Sequence, residues 1–136
     1  MKKLVYILTF FILAGTAAQA QDDGADDRIR DKMREYIQQR IGLSRNESEK
    51  FTPVFVRYFK EWRTTLRDFR GGDKLVLQQK IIELKLRYRP EFKDALGDKR
   101  SNEVYRQQDN FIRDLENIRR DRIKERLNDR PPVKRQ

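Results

Sequence analysis

Carboxylates are plentiful in this sequence, but the chain contains no histidine and no cysteine. Histidine is the commonest general base near neutral pH, and both missing residues supply the soft metal ligands. The pairs Asp22–Asp23 and Asp114–Glu116 offer at most a weak site for a hard cation. Elsewhere carboxylates alternate with Lys and Arg, as in residues 113–126, which is typical of a solvated helix face. We therefore predict no catalytic residue, no metal site and no cofactor, and a protein that is not an enzyme.

The composition favours helices with one apolar face. The 136 residues leave room for one domain, of which 40% are charged and 37% are hydrophobic. This balance suits long helices with polar backs, and it is also found in disordered chains. The regular spacing of the apolar residues decides for helices.

Residues 1–20 have the pattern of a secretory signal. Lys2 and Lys3 precede an apolar run over residues 4–13, and residues 18–20 form an A-x-A cleavage motif. The run is shorter than the ~20 residues that span a bilayer. We expect cleavage after Ala20, a periplasmic protein and no stable membrane insertion afterwards; an uncleaved anchor is the alternative.

Export changes the meaning of the positive charge. Loss of Lys2 and Lys3 with the signal leaves 30 basic and 22 acidic residues, a net charge of +8. Inside a cell such a charge would point to nucleic acid. An exported protein meets little nucleic acid, so the expected partners are unfolded polypeptides, envelope polymers or lipid head groups.

Apolar spacing predicts an all-α fold of four helices, with a flexible leader at 21–26, a helical domain at 27–128 and a disordered basic tail at 129–136. The first helix covers 27–41 and ends at Gly42. Ser44 and Glu47 form a capping box for the second helix, with Leu43 packing back on it. The apolar stripe of the second helix contains Phe51, Phe55, Tyr58, Trp62, Leu66 and Phe69. Pro53 implies a bend, either as a kink in one helix or as the start of a new one.

The third and fourth helices follow the same logic. Asp73 caps the third helix, which ends at Gly97, and Asp98 or Ser101 caps the fourth. Short connections make successive helices antiparallel. We therefore expect two hairpins in a thin, curved bundle, with kinks near Pro53 and Pro90, and a fourth helix whose last part projects into water.

The third helix is apolar on two sides. Leu75, Ile82 and Leu86 cannot face the same neighbour as the set that we assign to the core. That core set contains Leu77, Ile81, Leu84 and Tyr88. Because a hairpin pair has nothing to cover the first set, we expect a homodimer.

The segment "LSRNESEKFTPVFVRYFKEW" resembles the Spy/CpxP-like periplasmic proteins, which open a helix with an L-T-x-x-Q motif. Leu43, Ser44 and Glu47 stand at the matching positions, with Ser in place of Thr and Glu in place of Gln. The Phe-x-Pro-x-Phe segment that follows is similar to the Bacteroidetes-type members described as sensors of extracytoplasmic-function sigma factors. A second copy of the motif is not recognisable. The resemblance implies paired helical hairpins that dimerise into a cradle and bind unfolding envelope proteins without ATP.

Three functions remain open at this point, and the third of them is an inert structural or polymer-binding envelope protein. The first is a holdase for unfolded envelope proteins; the alternative is a stress regulator that binds an anti-sigma factor or the periplasmic domain of a sensor kinase. For the holdase and the regulator alike, we place Phe51, Phe55, Tyr58 and Trp62 in the core. If Phe59 lies on the client surface, Phe59→Ser should leave stability nearly unchanged; if Phe59→Ser and Trp62→Ala unfold the protein alike, the whole stretch is core. The predicted client or partner surface contains Val54, Arg57, Phe59, Arg63, Leu75, Ile82 and Leu86.

Overall fold

The described part of the chain is entirely helical apart from its short connections. The computed structural model describes residues 24–130, which form four α-helices and contain no strand. Helix α1 covers residues 24–41, α2 Arg45–Asp68, α3 Lys74–Leu96 and α4 Asp98–Asn128. The predicted all-α, four-helix fold is confirmed. The predictions for the signal at 1–20, for leader residues 21–23 and for tail residues 131–136 lie outside the described residues.

Helix α1 begins earlier than the sequence predicted. Residues 24–26, expected in a flexible leader, are already helical. Asp26 explains the difference, because its carboxylate accepts hydrogen bonds from Arg63 at 2.5 Å and Arg67 at 3.5 Å on α2. These ion pairs hold the first turn of α1 against the last turns of α2. At its other end α1 stops at Gly42, which has a φ of 72°.

The start of α2 confirms the predicted capping box. The Ser44 hydroxyl accepts from the Glu47 amide at 3.2 Å, and the Glu47 carboxylate accepts from the Ser44 amide at 3.3 Å. The helix then continues unbroken through Pro53. Of the two arrangements considered for this proline, the one with a new helix starting there is therefore wrong. Pro53 itself is exposed, and its ring nitrogen takes one hydrogen bond out of the helix.

Helices α3 and α4 are joined by one residue. Asp73 caps α3 as predicted, because its carboxylate accepts from the Leu75 amide at 2.8 Å. The prediction that Asp98 or Ser101 caps α4 is wrong: the N-cap position is Gly97, and no side chain bonds to the free amides. Gly97 has a φ of 83°, which lets the chain reverse within one residue and puts Asp98 inside the helix. The Ser101 hydroxyl instead donates to the Asp98 carbonyl at 2.8 Å.

An aromatic cluster holds the four helices together. Tyr58 lies at its centre, with ring centroids 5.5 Å from Tyr88, 5.7 Å from Phe92 and 5.7 Å from Tyr105. Side chains from every helix complete the core: Met33, Ile37, Phe51, Phe55, Phe59, Trp62, Leu84, Leu96, Val104 and Phe111. Apolar burial on this scale is the main force that stabilises such a domain.

The two hairpins also contact each other through α1 and α4. The Tyr36 ring meets Phe111 edge-on at 5.4 Å, and its hydroxyl donates to Asp114 at 3.0 Å. Beyond this contact every residue of α4 from 113 onward is exposed. The predicted projection of the end of α4 into water is thus confirmed. The curvature of the bundle and the bends at Pro53 and Pro90 stay predictions.

Candidate binding surface

One side of α3 carries large apolar side chains that nothing covers within residues 24–130. Leu75, Ile82 and Leu86 are 73%, 56% and 55% exposed, whereas Leu84 and Tyr88 of the same helix are buried. With Gln79, the exposed residues follow steps of four, three and four, which places them on one line along the helix. The predicted separation of the two apolar sets of α3 holds for Leu84 and Tyr88, whereas Leu77 and Ile81, predicted in the same core set, are only half-buried. We call Leu75, Ile82 and Leu86, with the polar Gln79 between the first two, the α3 apolar line.

An open groove adjoins this line where α2, α3 and α4 meet. Its volume is about 360 Å³. The side chains that give it its apolar character are Trp62, Leu66, Leu77, Ile81, Ile82 and Ile112. Because Ile82 belongs both to the groove and to the α3 apolar line, the two features form one continuous apolar surface. Contiguous exposed apolar surface is typical of sites that contact other molecules.

Gln108 adds a buried polar group to the groove lining. Its side chain is fully buried, and its Oε1 accepts a hydrogen bond from the Tyr58 hydroxyl at 2.6 Å. The Nε2 atom has no hydrogen-bond partner within the described residues. A buried donor left without a partner costs about 1–3 kcal/mol. Burial raises the pKa of Tyr58, so that its hydroxyl remains a donor to Gln108 at any ordinary pH.

Two opposite charges stand at the edge of the groove and neutralise each other. Lys85 Nζ lies 3.5 Å from Asp109 Oδ1, and the same ammonium lies 5.5 Å from the centroid of the Tyr105 ring. The Tyr105 hydroxyl in turn donates to the Lys85 carbonyl at 2.6 Å. The groove is therefore apolar along its walls and carries no unbalanced charge from this pair.

The prediction that Phe59 lies on a binding surface is wrong. Phe59 is only 2% exposed, and its ring centroid lies 6.1 Å from that of Phe55 and 5.6 Å from that of Trp62. It faces α1, where it lines a cavity together with Asp27 and Arg30. Because α1 packs against this side of α2, Phe59 belongs to the core.

The remaining predicted surface residues of α2 do not join the α3 apolar line. Arg57 pairs with Glu91 of α3 at 3.2 Å, and Arg63 pairs with Asp26 of α1 at 2.5 Å. Val54 is half-buried against the core. The structure therefore brings together Leu75, Ile82 and Leu86 from the predicted set and leaves the α2 members on other sides.

The motif residues Leu43, Ser44 and Glu47 have a structural role here. Leu43 packs against the core, and Ser44 and Glu47 cap α2. Glu47 also forms a hydrogen-bonded ion pair with Arg100 of α4. The hydrogen bonds that the Glu47 carboxylate accepts from Arg100 and from the Ser44 amide lower its pKa. Together these contacts fix the start of α2 next to the start of α4.

Sequence reasoning missed Gln108, although one signal pointed to it. Ser101, Val104, Gln108 and Phe111 follow the three- and four-residue steps of the buried side of α4, and all four are buried. A glutamine within such a series must bury its amide, and a buried amide requires hydrogen-bond partners.

None of the described helices is long and apolar enough to cross a membrane. Over residues 24–130, no group of three or more acidic, histidine or cysteine side chains lies close enough together to hold a metal ion. Comparison of the chain with protein-family models, with curated proteins and with solved structures gave no match.

Proposed function

We propose that this protein binds unfolded segments of envelope polypeptides and protects them from aggregation without ATP. The observation that carries the proposal is the continuous apolar surface formed by the α3 apolar line and the adjoining groove. The resemblance of residues 43–62 to the Spy/CpxP-like proteins supports the same role, and the signal-like residues 1–20 support a periplasmic location.

The energetics of this surface suit loose, reversible binding. Complete burial of one leucine or isoleucine side chain contributes about 1.5–3 kcal/mol. Leu75, Ile82 and Leu86 are already about one quarter to one half covered, so each contributes less. Association also loses translational and side-chain freedom, which offsets much of this gain. A client is therefore held weakly enough to leave and fold.

The net charge of +8 expected after signal cleavage should attract acidic clients before they make contact. Long-range attraction raises the association rate more than the final affinity, and salt screens it. We expect protection of an acidic client to weaken as the salt concentration rises, while protection of a neutral client changes less.

The test is suppression of client aggregation by matched double variants. Ile82→Gln/Leu86→Gln removes two apolar residues of the α3 apolar line, which are 56% and 55% exposed. Ile123→Gln/Leu127→Gln removes two residues of similar exposure, 47% and 55%, from the projecting part of α4. We expect the first variant to lose protection of a denatured client and the second to retain it.

Two outcomes would argue against a holdase. One is unchanged client aggregation at stoichiometric amounts of wild-type protein and low salt. The other is recovery of one stoichiometric partner in a pull-down without protection of clients, which would favour the regulatory role.

We also propose that, in the absence of client, the chain forms a homodimer through the α3 apolar line. The four-three-four spacing of this line is that of helices that pack side by side. Sedimentation at micromolar concentration should give about twice the monomer mass for the wild type and the monomer mass for Ile82→Gln/Leu86→Gln. A wild type that is monomeric throughout contradicts the dimer. A dimer that persists on saturation with client would make the line a subunit interface and exclude it as the client surface.

A further inference from the structure

A cleft between α1 and α2 is lined mainly by charged side chains. Its volume is about 380 Å³. Four basic side chains line it: Arg30, Lys60, Arg63 and Arg67. The carboxylates in the same lining are those of Asp26 and Asp27, so this α1–α2 cleft carries an excess of two positive charges.

Ion pairs within α1 balance the charge of Arg30. Its guanidinium lies 2.8 Å from the Asp27 carboxylate and 3.2 Å from that of Asp31, the second of which does not line the cleft. The excess positive charge therefore belongs to the side of the cleft that α2 forms.

Three basic residues of α2 face a single carboxylate across the cleft. Asp26 of α1 pairs with Arg63 at 2.5 Å and with Arg67 at 3.5 Å, and Lys60 forms no ion pair within residues 24–130. Steps of three and four residues separate Lys60, Arg63 and Arg67, which places them on one side of α2. Three positive charges and one negative charge therefore lie together there.

Hydrogen-bond donors of this group remain within reach of a ligand. Arg63 bonds to Asp26 through Nη2, and its Nε is fully buried and out of reach. Its Nη1 has no hydrogen-bond partner within residues 24–130 and, unlike Nε, keeps contact with solvent. The Lys60 side chain is exposed, and that of Arg67 is 64% exposed. An anion in the cleft can therefore accept hydrogen bonds from all three residues.

We propose that the α1–α2 cleft binds a phosphate monoester, with the phosphate between Lys60, Arg63 and Arg67. Such a group carries a charge of about −1.5 to −2 at pH 7, which matches the excess of two positive charges. The planar guanidinium of arginine also fits two phosphate oxygens at once. The volume of the cleft lies at the low end of ligand pockets, which span about 300–1,000 Å³, and leaves room for the small organic group of an ester. No residue of α3 lines the cleft, so this site is independent of the proposed function.

Calorimetric titration with two phosphate monoesters tests the site and distinguishes two sources of the ligand. Glycerol 3-phosphate is the soluble probe, and glycerol is its uncharged control. Vesicles of phosphatidylcholine that contain phosphatidic acid present the same group at a lipid surface, and vesicles of phosphatidylcholine alone are their control. We expect the wild-type protein at low salt to bind at least one of the monoesters and neither control. The affinity should fall as added salt screens the exposed charges.

Reversal of one exposed charge separates the cleft from the general positive charge of the protein. Lys60→Glu breaks no ion pair within residues 24–130 and replaces an attraction by a repulsion of similar size, so it should weaken binding about tenfold. Lys60→Gln only removes the charge and should weaken binding about threefold. The matched control is Lys50→Glu, because Lys50 is also exposed on α2 but does not line the cleft. It changes the net charge equally and should weaken binding less than about twofold.

The outcomes decide both the site and the source of its ligand. Binding of glycerol 3-phosphate that depends on Lys60 and not on Lys50 supports a site for soluble phosphate esters. The same dependence with phosphatidic acid vesicles alone supports a site for a lipid head group. Absence of binding to either monoester at low salt overturns the inference. Equal weakening by Lys60→Glu and Lys50→Glu also overturns it, because net charge alone would then explain the binding. Neither result bears on client protection, which is measured on Ile82→Gln/Leu86→Gln.

Discussion

Replacement of Phe59 by alanine tests whether α1 truly covers the side of α2 that the sequence left open. The side chain is 2% exposed and contacts Phe55 and Trp62 with ring centroids 6.1 and 5.6 Å apart. A buried phenylalanine replaced by alanine typically costs about 3–5 kcal/mol, and each aromatic contact carries about 0.5–1.5 kcal/mol of this. Because natural domains are stable by only about 5–15 kcal/mol, Phe59→Ala should remove a large part of the free energy of unfolding.

Urea denaturation is a suitable assay, with Trp62 as the single tryptophan and a fluorescence reporter next to the mutated site. Leu127→Gln is the control, because this side chain is 55% exposed on the projecting part of α4 and an exposed substitution stays within about 0.5 kcal/mol of the wild type. Equal small losses below about 1 kcal/mol in both variants would refute the burial of Phe59. They would also restore Phe59 as a candidate for the binding surface.

Three further predictions concern pH and the backbone. Glu47→Gln keeps the capping partner but loses the charge that pairs with Arg100. Because the pKa of Glu47 is lowered in the folded protein, the Glu47 carboxylate stabilises the fold above pH 4.5, the pKa of the unfolded chain, and this contribution is lost as the pH falls further. Thermal denaturation should therefore separate wild type and variant at pH 7 and bring them together in acid; a constant difference contradicts the ion pair. Burial and a hydrogen bond to Glu61 raise the pKa of Tyr88 from 10.0 to about 12. The protonated Tyr88 hydroxyl therefore stabilises the folded protein fully below pH 10, and this contribution is lost as the pH rises towards 12. Phenolate absorbance and loss of helical circular dichroism should coincide, and ionisation near pH 10 with the helices intact would disagree. Gly97→Ala should cost about 1–3 kcal/mol, because a φ of 83° with a ψ of 167° is a conformation found almost only in glycine. Gly72→Ala, at a position with no positive φ, should cost less, and equal denaturation midpoints would argue against the turn.

The positions of most helix ends could be read from the sequence because they depend on local chemistry. Gly42, the Ser44–Glu47 pair and Asp73 act on amides and carbonyls within a few residues, and the structure places all of them as expected. The start of α4 was predicted wrongly because two good capping residues lie close together. The left-handed Gly97 reverses the chain before either can act.

Features that depend on distant residues could not be predicted in this way. The helical period gives the direction in which Phe59 points, but only the packing of α1 decides that this side is covered. Gln108 requires a partner 50 positions away, at Tyr58, before its free Nε2 can be recognised. By contrast, the exposure of Leu75, Ile82 and Leu86 followed from one helix having two apolar sides, which is a local property.

The brevity of the connections has a kinetic consequence. Three, five and one residues link the successive helices, so each hairpin closes a very small loop. Loop closure loses little chain entropy at such lengths, and helical domains with mainly local contacts fold in microseconds to milliseconds. Among the side-chain hydrogen bonds of residues 24–130, the one between Tyr36 and Asp114 joins the most distant positions, 78 residues apart. We expect the two hairpins to form early and α1 to dock on α4 last, so that the aromatic cluster is briefly open on one side during every folding event.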